Sequence, residues 1–228
     1  MNKTLVIVGS CALLLVVLVF HFLHSKTTFT VMLLPSKPSS PGVYIKNPDI
    51  IYSSDGFLSL GPAASPTEFL NESSDWKGTA FILSSVPMGG RKGVALIHPF
   101  DVQNTRKMYI EQELYLPSGN YKLLFGIADV ADSFPPEFVA NMGWGGFTGN
   151  CADVGIKVIV TDVKKEKEYV IFDKVIRNGR WYDYSVDISS HFSGEKIKVR
   201  VESYPADKGC GIWNGEWAAV DYVIIQPY

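Results

Sequence analysis

The sequence predicts an all-β fold, an antiparallel β-sandwich of the jelly-roll type, preceded by one N-terminal transmembrane helix. Three observations lead to this prediction. Short segments in which apolar and polar residues alternate recur through the second half of the chain, and turn residues separate them. No long amphipathic helical pattern accompanies them. The one apolar block of helical length lies at the start of the chain.

Alternation is clearest in Glu195–Ser203, where Ile197, Val199 and Val201 alternate with charged residues. A period of two residues buries one face of a strand and exposes the other to water. Eight segments are predicted as strands: Gly93–His98, Met108–Leu116, Tyr121–Ala128, Val154–Val160, Tyr169–Val175, Trp181–Ile188, Glu195–Ser203 and Ala218–Ile225. Short strands separated by turn residues favour a sandwich or a barrel.

The N-terminal apolar block runs from Thr4 to Leu23. As a helix, its last nineteen residues would be roughly 28 Å long, close to the hydrocarbon thickness of a bilayer. Lys3 and the terminal amine precede the block, which favours a cytoplasmic N-terminus. A cleaved signal peptide is the alternative, but no A-x-A-like site follows the block. Both interpretations export the rest of the chain.

Prolines follow the block at positions 35, 38 and 41, in a stretch that favours an extended spacer. We therefore predict three parts: a transmembrane signal anchor at 1–26, a linker at 27–42 and a β-sandwich ectodomain at 43–228. The protein is expected to be a single-pass membrane protein with its C-terminal domain extracellular.

Charge and motif content exclude several function classes. The formal net charge is −2 and the two signs are interspersed, so no basic stripe predicts a nucleic-acid partner. Beyond the N-terminal block and its flank, the histidines are His98 and His191, and neither accompanies a Gly-x-Ser-x-Gly elbow or a metalloprotease motif. We predict that the protein is not an enzyme.

Cysteine usage agrees with export. Cys151 and Cys210 form an even pair in the exported part and predict one disulfide in an oxidising compartment. Two reduced, buried thiols are the alternative. Asn71 begins an Asn-Glu-Ser sequon, which matters only if the source organism glycosylates its proteins.

One connection, Val130–Asn150, is long and lacks any strand or helix pattern. Connections of this length are usually functional or disordered, and this one is rich in aromatic residues and glycine. Cys151 closes it, and Cys210 begins a second aromatic connection that ends at Trp217. A disulfide between the two cysteines would bring both connections to one end of the sandwich.

Seven segments follow one another in a recognisable order: Ala95–Pro99, Leu116–Gly119, Phe125–Asp129, Asp153–Val158, Trp181–Ser189, Gly194–Ile197 and Trp217–Ile224. In this order they resemble the galactose-binding-like jelly rolls, the group that includes many carbohydrate-binding modules. The resemblance implies an eight-stranded sandwich, a structural calcium ion, and sugar binding at one end or face. The connection Val130–Asn150 departs from that pattern by its length, and no sugar-contacting residue of the family maps onto a single position here.

Sugar sites combine flat apolar rings with a few polar groups. On this basis the predicted ligand contacts are Trp144, Trp213, Asn214, Glu216, Trp217 and Asp129. The alternative is that the tryptophans close the end of the sandwich as part of its core. Calcium would need several oxygen ligands, for which the candidates are Asp129, Asp132, Asp153 and Asp221. Turn-forming and strand-end carboxylates are the alternative for each.

Two functions follow from these expectations. The first is a membrane-anchored extracellular binding module for a glycan or cell-surface polysaccharide, with its site at the loop end of a jelly roll. The second is a structural or protein-partner-binding ectodomain without sugar binding. Exposed tryptophan rings that share a groove would favour the first.

Overall fold

The computed structural model describes residues 29–34, 36–37, 44–53, 56–59, 75–84, 88–98, 108–129, 154–177, 180–206 and 217–228. These residues form eleven strands and one short helix: β1 (Val31–Leu34), β2 (Gly56–Ser59), β3 (Lys77–Leu83), β4 (Val94–Ile97), β5 (Tyr109–Tyr115), β6 (Tyr121–Asp129), β7 (Val154–Asp162), β8 (Lys167–Ile176), β9 (Tyr182–Asp187), α1 (Ser189–Phe192), β10 (Lys196–Pro205) and β11 (Ala218–Pro227). The apolar block at residues 4–23 lies outside the described residues. Within them, no helix is long and apolar enough to cross a bilayer.

The prediction of an all-β antiparallel fold is confirmed. Each of the eight predicted segments forms a strand, from β4 through β11, and every strand pair is antiparallel. Alternation also gives the correct faces, since Ile197, Val199 and Val201 are fully buried. Strands β1, β2 and β3 were not among the eight. The first of them lies within the segment 27–42, predicted as a linker, and pairs there with β9.

The strands follow the order β1-β9-β6-β11-β4-β3-β5-β10-β7-β8, with β2 beside β3. Strand β3 belongs to both halves of this order, because residues 77–79 pair with β5 and residues 81–83 pair with β4. The sheet turns a corner at β3. Gly78 lies at this corner with φ of +134°, and a Cβ there would overlap the carbonyl of Tyr109.

The corner divides the strands into a first half-sheet (β1, β9, β6, β11, β4) and a second half-sheet (β5, β10, β7, β8). Phe172 of β8 has its ring centroid 5.0 Å from that of Phe125 in β6 and 4.7 Å from that of Tyr184 in β9. These strands are far apart in the strand order, so the contacts require the two half-sheets to pack face to face. The architecture is a β-sandwich, and the apolar side chains between its layers form the core.

A buried ion network covers the outer face of the first half-sheet. Arg91 donates to both carboxylate oxygens of Asp183, at 2.8 and 2.9 Å, and to Asp221 at 3.1 Å. A β-bulge between Val220 and Tyr222 lets two consecutive residues, Asp221 and Tyr222, join this network. The Tyr222 hydroxyl donates to Asp183 at 3.0 Å. The network ties the segment 88–91 to β9 and β11.

Strand register defines the two ends of the sandwich. At the end that we call the loop end, Ala218 lies opposite Asp129 and Ile97, and Pro205 lies opposite Val154. The hydroxyl of Ser203 donates to the carbonyl of Ile97 at 3.1 Å and connects the half-sheets there.

At the opposite end, which we call the turn end, Lys122 lies opposite Asp187. Strand β1 begins at the turn end, since Val31 pairs with Val186. Phe29, just before β1, packs there against His191 and Phe192, at ring distances of 5.2 and 6.4 Å. The chain therefore enters the sandwich at the turn end.

Candidate functional site

The loop end is where the two long aromatic connections meet the sandwich. Residues 130–153 follow β6 and precede β7, and residues 207–216 lie between β10 and Trp217. Because β6 pairs with β11 and β7 pairs with β10, the flanks of both connections lie at this one end. Of the predicted site residues, those outside the described part of the chain are Asn71, Asp132, Trp144, Cys151, Asp153, Cys210, Trp213, Asn214 and Glu216. Their ligand, metal, disulfide and glycosylation roles stay predictions.

Trp217 lies immediately before β11 and is half-buried. Its ring centroid is 4.8 Å from that of His98, at the end of the neighbouring strand β4. It packs against the main core and against a smaller apolar cluster on the outer face of the first half-sheet. Trp217 therefore packs as part of the core. This role is the alternative to ligand contact given in the sequence analysis.

The acidic candidates among the described residues are both buried. Asp129 ends β6 and is fully buried beside the start of β11. Asp221 accepts from Lys37 at Oδ1 and from Arg91 at Oδ2, each at 3.1 Å. Burial raises the pKa of the Asp221 carboxyl, while the two cations act in the opposite direction.

The calcium prediction stays untested, because Asp132 and Asp153 lie outside the described residues. Asp221 is a partner of two cationic side chains, and this arrangement does not fit a calcium ligand. No group of three or more acidic, histidine or cysteine side chains within metal-binding distance occurs in the part of the chain that the structure describes.

A tyrosine platform lies on the outer face of the second half-sheet, at the loop end. Tyr204 of β10 lies opposite Gly155 of β7, and its ring covers the glycine so closely that a Cβ there would overlap three ring atoms. Only glycine permits this approach of ring to backbone. The Tyr204 hydroxyl donates to Asp173 at 2.6 Å, and the Lys157 ammonium lies 4.9 Å from the ring centroid. Ring, carboxylate and ammonium form one surface group.

Partial burial makes the phenol of Tyr204 a weaker acid. Burial, followed by the hydrogen bond to Asp173, raises the pKa of Tyr204 to about 12. The phenol is therefore protonated at neutral pH and remains a hydrogen-bond donor. The Lys157 ammonium and a carboxylate oxygen of Asp173 lie 3.9 Å apart, and their side chains are 29% and 45% exposed, so both can contact a ligand. Sequence reasoning missed Tyr204, although a glycine inside the apolar strand 154–160 was a signal of close approach.

A second group lies where β8 and β9 meet at the loop end. Lys174, Arg177 and Arg180 are exposed there. The Lys174 ammonium lies 5.6 Å from the ring centroid of Phe172 and 5.2 Å from that of Tyr184. We call these three cations the cationic edge. Sequence reasoning did not single them out, because the contact of Lys174 with Tyr184 depends on the packing of β8 against β9.

No family model matches the chain, and no curated protein matches it. Among solved structures, it is similar to the module TmCBM61 in complex with β-1,4-galactotriose, with 15% identity, coverage of 66% of this chain and 70% of that chain, and a TM-score of 0.35. A CBM4 structure gives 14% identity, coverage of 81% and 99%, and a TM-score of 0.39.

The CBM22-1 and GH10 modules of the Clostridium thermocellum xylanase Xyn10B, complexed with xylohexaose, are also similar. Identity there is 13%, coverage is 83% of this chain but only 29% of that chain, and the TM-score is 0.42. Carbohydrate-binding modules are thus among the solved structures that this chain resembles. The identities are too low to carry any site residue over to this sequence.

Proposed function

We propose that this protein is a carbohydrate-binding module of the jelly-roll type, without catalytic activity, whose ligand binds at the loop end. The observation that carries the proposal is the Tyr204 ring held over Gly155 and flanked by Asp173 and Lys157. Flat rings pack against the C–H faces of sugars, and neighbouring donors and acceptors bind the hydroxyl groups. Tyr204 supplies the ring, while Asp173 and Lys157 supply an acceptor and a donor.

The two aromatic connections extend this site. Tyr204 lies three residues before position 207, so the second connection begins beside the platform. We propose that Trp213 and Trp144 add rings to the same surface, with Asn214 and Glu216 as polar partners. A Cys151–Cys210 disulfide would fix the two connections together, and the pairing of Val154 with Pro205 puts their flanks close enough for it.

Membrane anchoring through residues 4–23 belongs to the same proposal. Phe29, at the turn end, follows Leu23 by six residues, which span at most about 22 Å. An anchor at 4–23 would therefore hold the turn end near the bilayer and direct the loop end away from it, toward an extracellular glycan. N-terminal sequencing of the chain from membranes tests the anchor, because a mature start between Phe22 and Thr28 contradicts it.

The experiment for the glycan site is calorimetry on the full chain in neutral detergent micelles, against soluble oligosaccharides that include β-1,4-galactotriose and xylohexaose. Tyr204→Ala should weaken binding about fivefold or more, because ring stacking contributes about 1 kcal/mol beyond area burial. Tyr115→Ala is the matched control, since that tyrosine is 61% exposed and lies at the turn end. Its affinity should equal that of the unmodified chain.

Two outcomes contradict the proposal. Unchanged affinity in Tyr204→Ala, with the melting temperature preserved, would move the site away from the platform. Absence of binding to every glycan would favour the structural or protein-partner ectodomain instead.

A further inference from the structure

A surface patch built from uncharged residues lies at the turn end. The connection between β5 and β6 forms its centre, and the residues that this connection contacts complete it. Its exposed members, which we call the turn-end patch, are Tyr115, Pro117, Ser118, Gly119, Asn120, Ser193, Pro227 and Tyr228. The two tyrosines are 61% and 59% exposed and are its largest side chains. Exposed apolar surface that is grouped in this way marks an interaction site more often than single exposed residues do.

Hydrogen bonds join the parts of the turn-end patch. The backbone N–H of Tyr228 donates to the carbonyl of Asn120 at 3.2 Å. The backbone N–H of Gly119 donates to the Ser193 hydroxyl at 2.7 Å. Three segments that are distant in the sequence, after β5, before β10 and at the end of β11, therefore form one continuous surface.

Charged side chains lie at the rim of the patch. The Lys122 ammonium lies 4.3 Å from the Tyr228 ring centroid. The ion pairs at the rim are Lys196–Glu113 at 2.8 Å and Lys165–Glu195 at 3.7 Å. Tyrosine rings bordered by lysines are typical of the boundary between a bilayer and water, because the ring lies at the level of the headgroups while the long lysine chain reaches past it to water.

The N-terminal segment arrives at this same end of the sandwich. Phe29 packs against Phe192, and Ser193 of the patch follows Phe192 directly. Leu23, the last residue of the apolar block, precedes Phe29 by six residues, which span at most about 22 Å. The loop end lies about 30 Å farther away, because β7 has nine residues that rise about 3.3 Å each. A bilayer around residues 4–23 is therefore within reach of the turn-end patch.

From this arrangement we propose that the turn-end patch contacts the headgroup region of the bilayer, with the rings of Tyr115 and Tyr228 among the lipid headgroups. The proposal rests on the anchor at residues 4–23 proposed above and adds a second attachment point to it. A patch of uncharged residues fits a neutral phosphatidylcholine surface, where burial of the rings provides the affinity. The anchor keeps the patch at a high effective concentration near the lipid, so a weak contact is sufficient. Two attachment points hold the sandwich upright, with the loop end facing away from the membrane.

Paramagnetic broadening of backbone amide signals tests this contact. The isotope-labelled full chain is placed in phosphatidylcholine nanodiscs in which a small share of the lipid carries a nitroxide near its headgroup, and unlabelled discs give the reference intensities. The amides of Ser118, Gly119 and Asn120 should lose most of their signal. Those of Gly155 and Tyr204, at the loop end, should keep theirs.

A charge introduced into the patch should weaken the contact. Tyr115→Glu removes a ring and adds a carboxylate that would have to lose water, so it should restore signal at residues 118–120. Val170→Glu is the matched control, because Val170 is 49% exposed on β8 and lies outside the patch. Its broadening pattern should equal that of the unmodified chain. Both positions are exposed, so the melting temperature should stay constant in both variants.

The outcomes separate this contact from the anchor on which it depends. A chain that enters the discs but shows equal broadening at the two ends, or none, overturns the contact and leaves the anchor intact. Broadening that survives Tyr115→Glu unchanged also overturns the assignment to the patch. Discs that hold two chains, with an unbroadened turn end, would assign the patch to a second copy of this chain. A chain that does not enter the discs contradicts the anchor and the contact together, while glycan binding is measured independently by calorimetry.

Discussion

Arg91 is the residue on which the outer face of the first half-sheet depends. The side chains of Asp183 and Asp221 are 5% and 0% exposed, and Arg91 contacts both. Breaking a buried ion pair from one side leaves uncompensated charge in a desolvated place. Arg91→Met should therefore lower the free energy of unfolding by about 3–5 kcal/mol, measured by chemical denaturation.

The neighbouring residue provides the control for this change. Lys92 is exposed, so Lys92→Met should change the free energy of unfolding by less than about 0.5 kcal/mol. Equal and small losses of unfolding free energy in Arg91→Met and Lys92→Met would show that the ion network does not stabilise the fold.

Single residues also show where sequence reasoning ends. The faces of β10 could be predicted from alternation, but the role of Tyr204 on the outer face could not. Tyr204 is significant only because Gly155 faces it across a strand pair, and pairing of β7 with β10 is a property of topology. Likewise Asp221, predicted as a calcium ligand, pairs with Arg91, which lies 130 positions away.

Among the elements, β3 shows why a strand can lack the alternation of apolar and polar residues that reveals it in a sequence. Four consecutive residues from Ala80 to Leu83 are buried, because this strand turns the corner and contacts the main core on one face and the smaller cluster on the other. Such a strand loses the alternation that identified β10. The strand that joins the half-sheets could therefore not be predicted from alternation.

Strand β1 and its flanks extend the domain toward the N-terminus beyond the predicted boundary at 43. Phe29 packs on the turn-end aromatic cluster, β1 pairs with β9, and Lys37 binds Asp221. A fragment of residues 43–228 should unfold with a free energy about 2–4 kcal/mol lower than a fragment of residues 27–228. Equal denaturation midpoints for the two fragments would show that β1 does not contribute to stability.

The short helix α1 follows a carboxylate that makes the turn end sensitive to acid. The Tyr228 hydroxyl, the backbone N–H of Ser189 and its hydroxyl all donate to Asp187 and lower the pKa of its carboxyl below the ordinary value of an aspartate. A carboxyl with a lowered pKa stabilises the folded state above its ordinary pKa, and this contribution is lost as the pH falls through the folded value.

Asp187→Asn should accordingly melt at a lower temperature than the unmodified chain near pH 6, and the gap should narrow below about pH 4. Melting curves at several pH values measure this. A gap that is constant with pH would mean that Asp187 acts through shape and not through its charge.

At the scale of the whole molecule, the proposed roles fall at opposite ends of the sandwich. The N-terminal segment, α1 and Asp187 lie at the turn end, and the tyrosine platform, the cationic edge and the flanks of both aromatic connections lie at the loop end. With an anchor at residues 4–23, this division gives one end to attachment and the other to recognition. The proposed recognition surface combines strand residues of the platform with the connecting segments at the same end, where folds of this kind commonly carry function.

Backbone amide chemical-shift mapping tests the central claim, glycan binding at the loop end, most directly. The isotope-labelled chain is titrated with an oligosaccharide that binds in calorimetry, and shifts are compared between ends. We expect the largest changes at Gly155, Lys157, Asp173 and Tyr204, with Lys164, Glu195 and Tyr228 unaffected at the turn end. Changes concentrated at the turn end, or on the outer face of the first half-sheet, would contradict the claim.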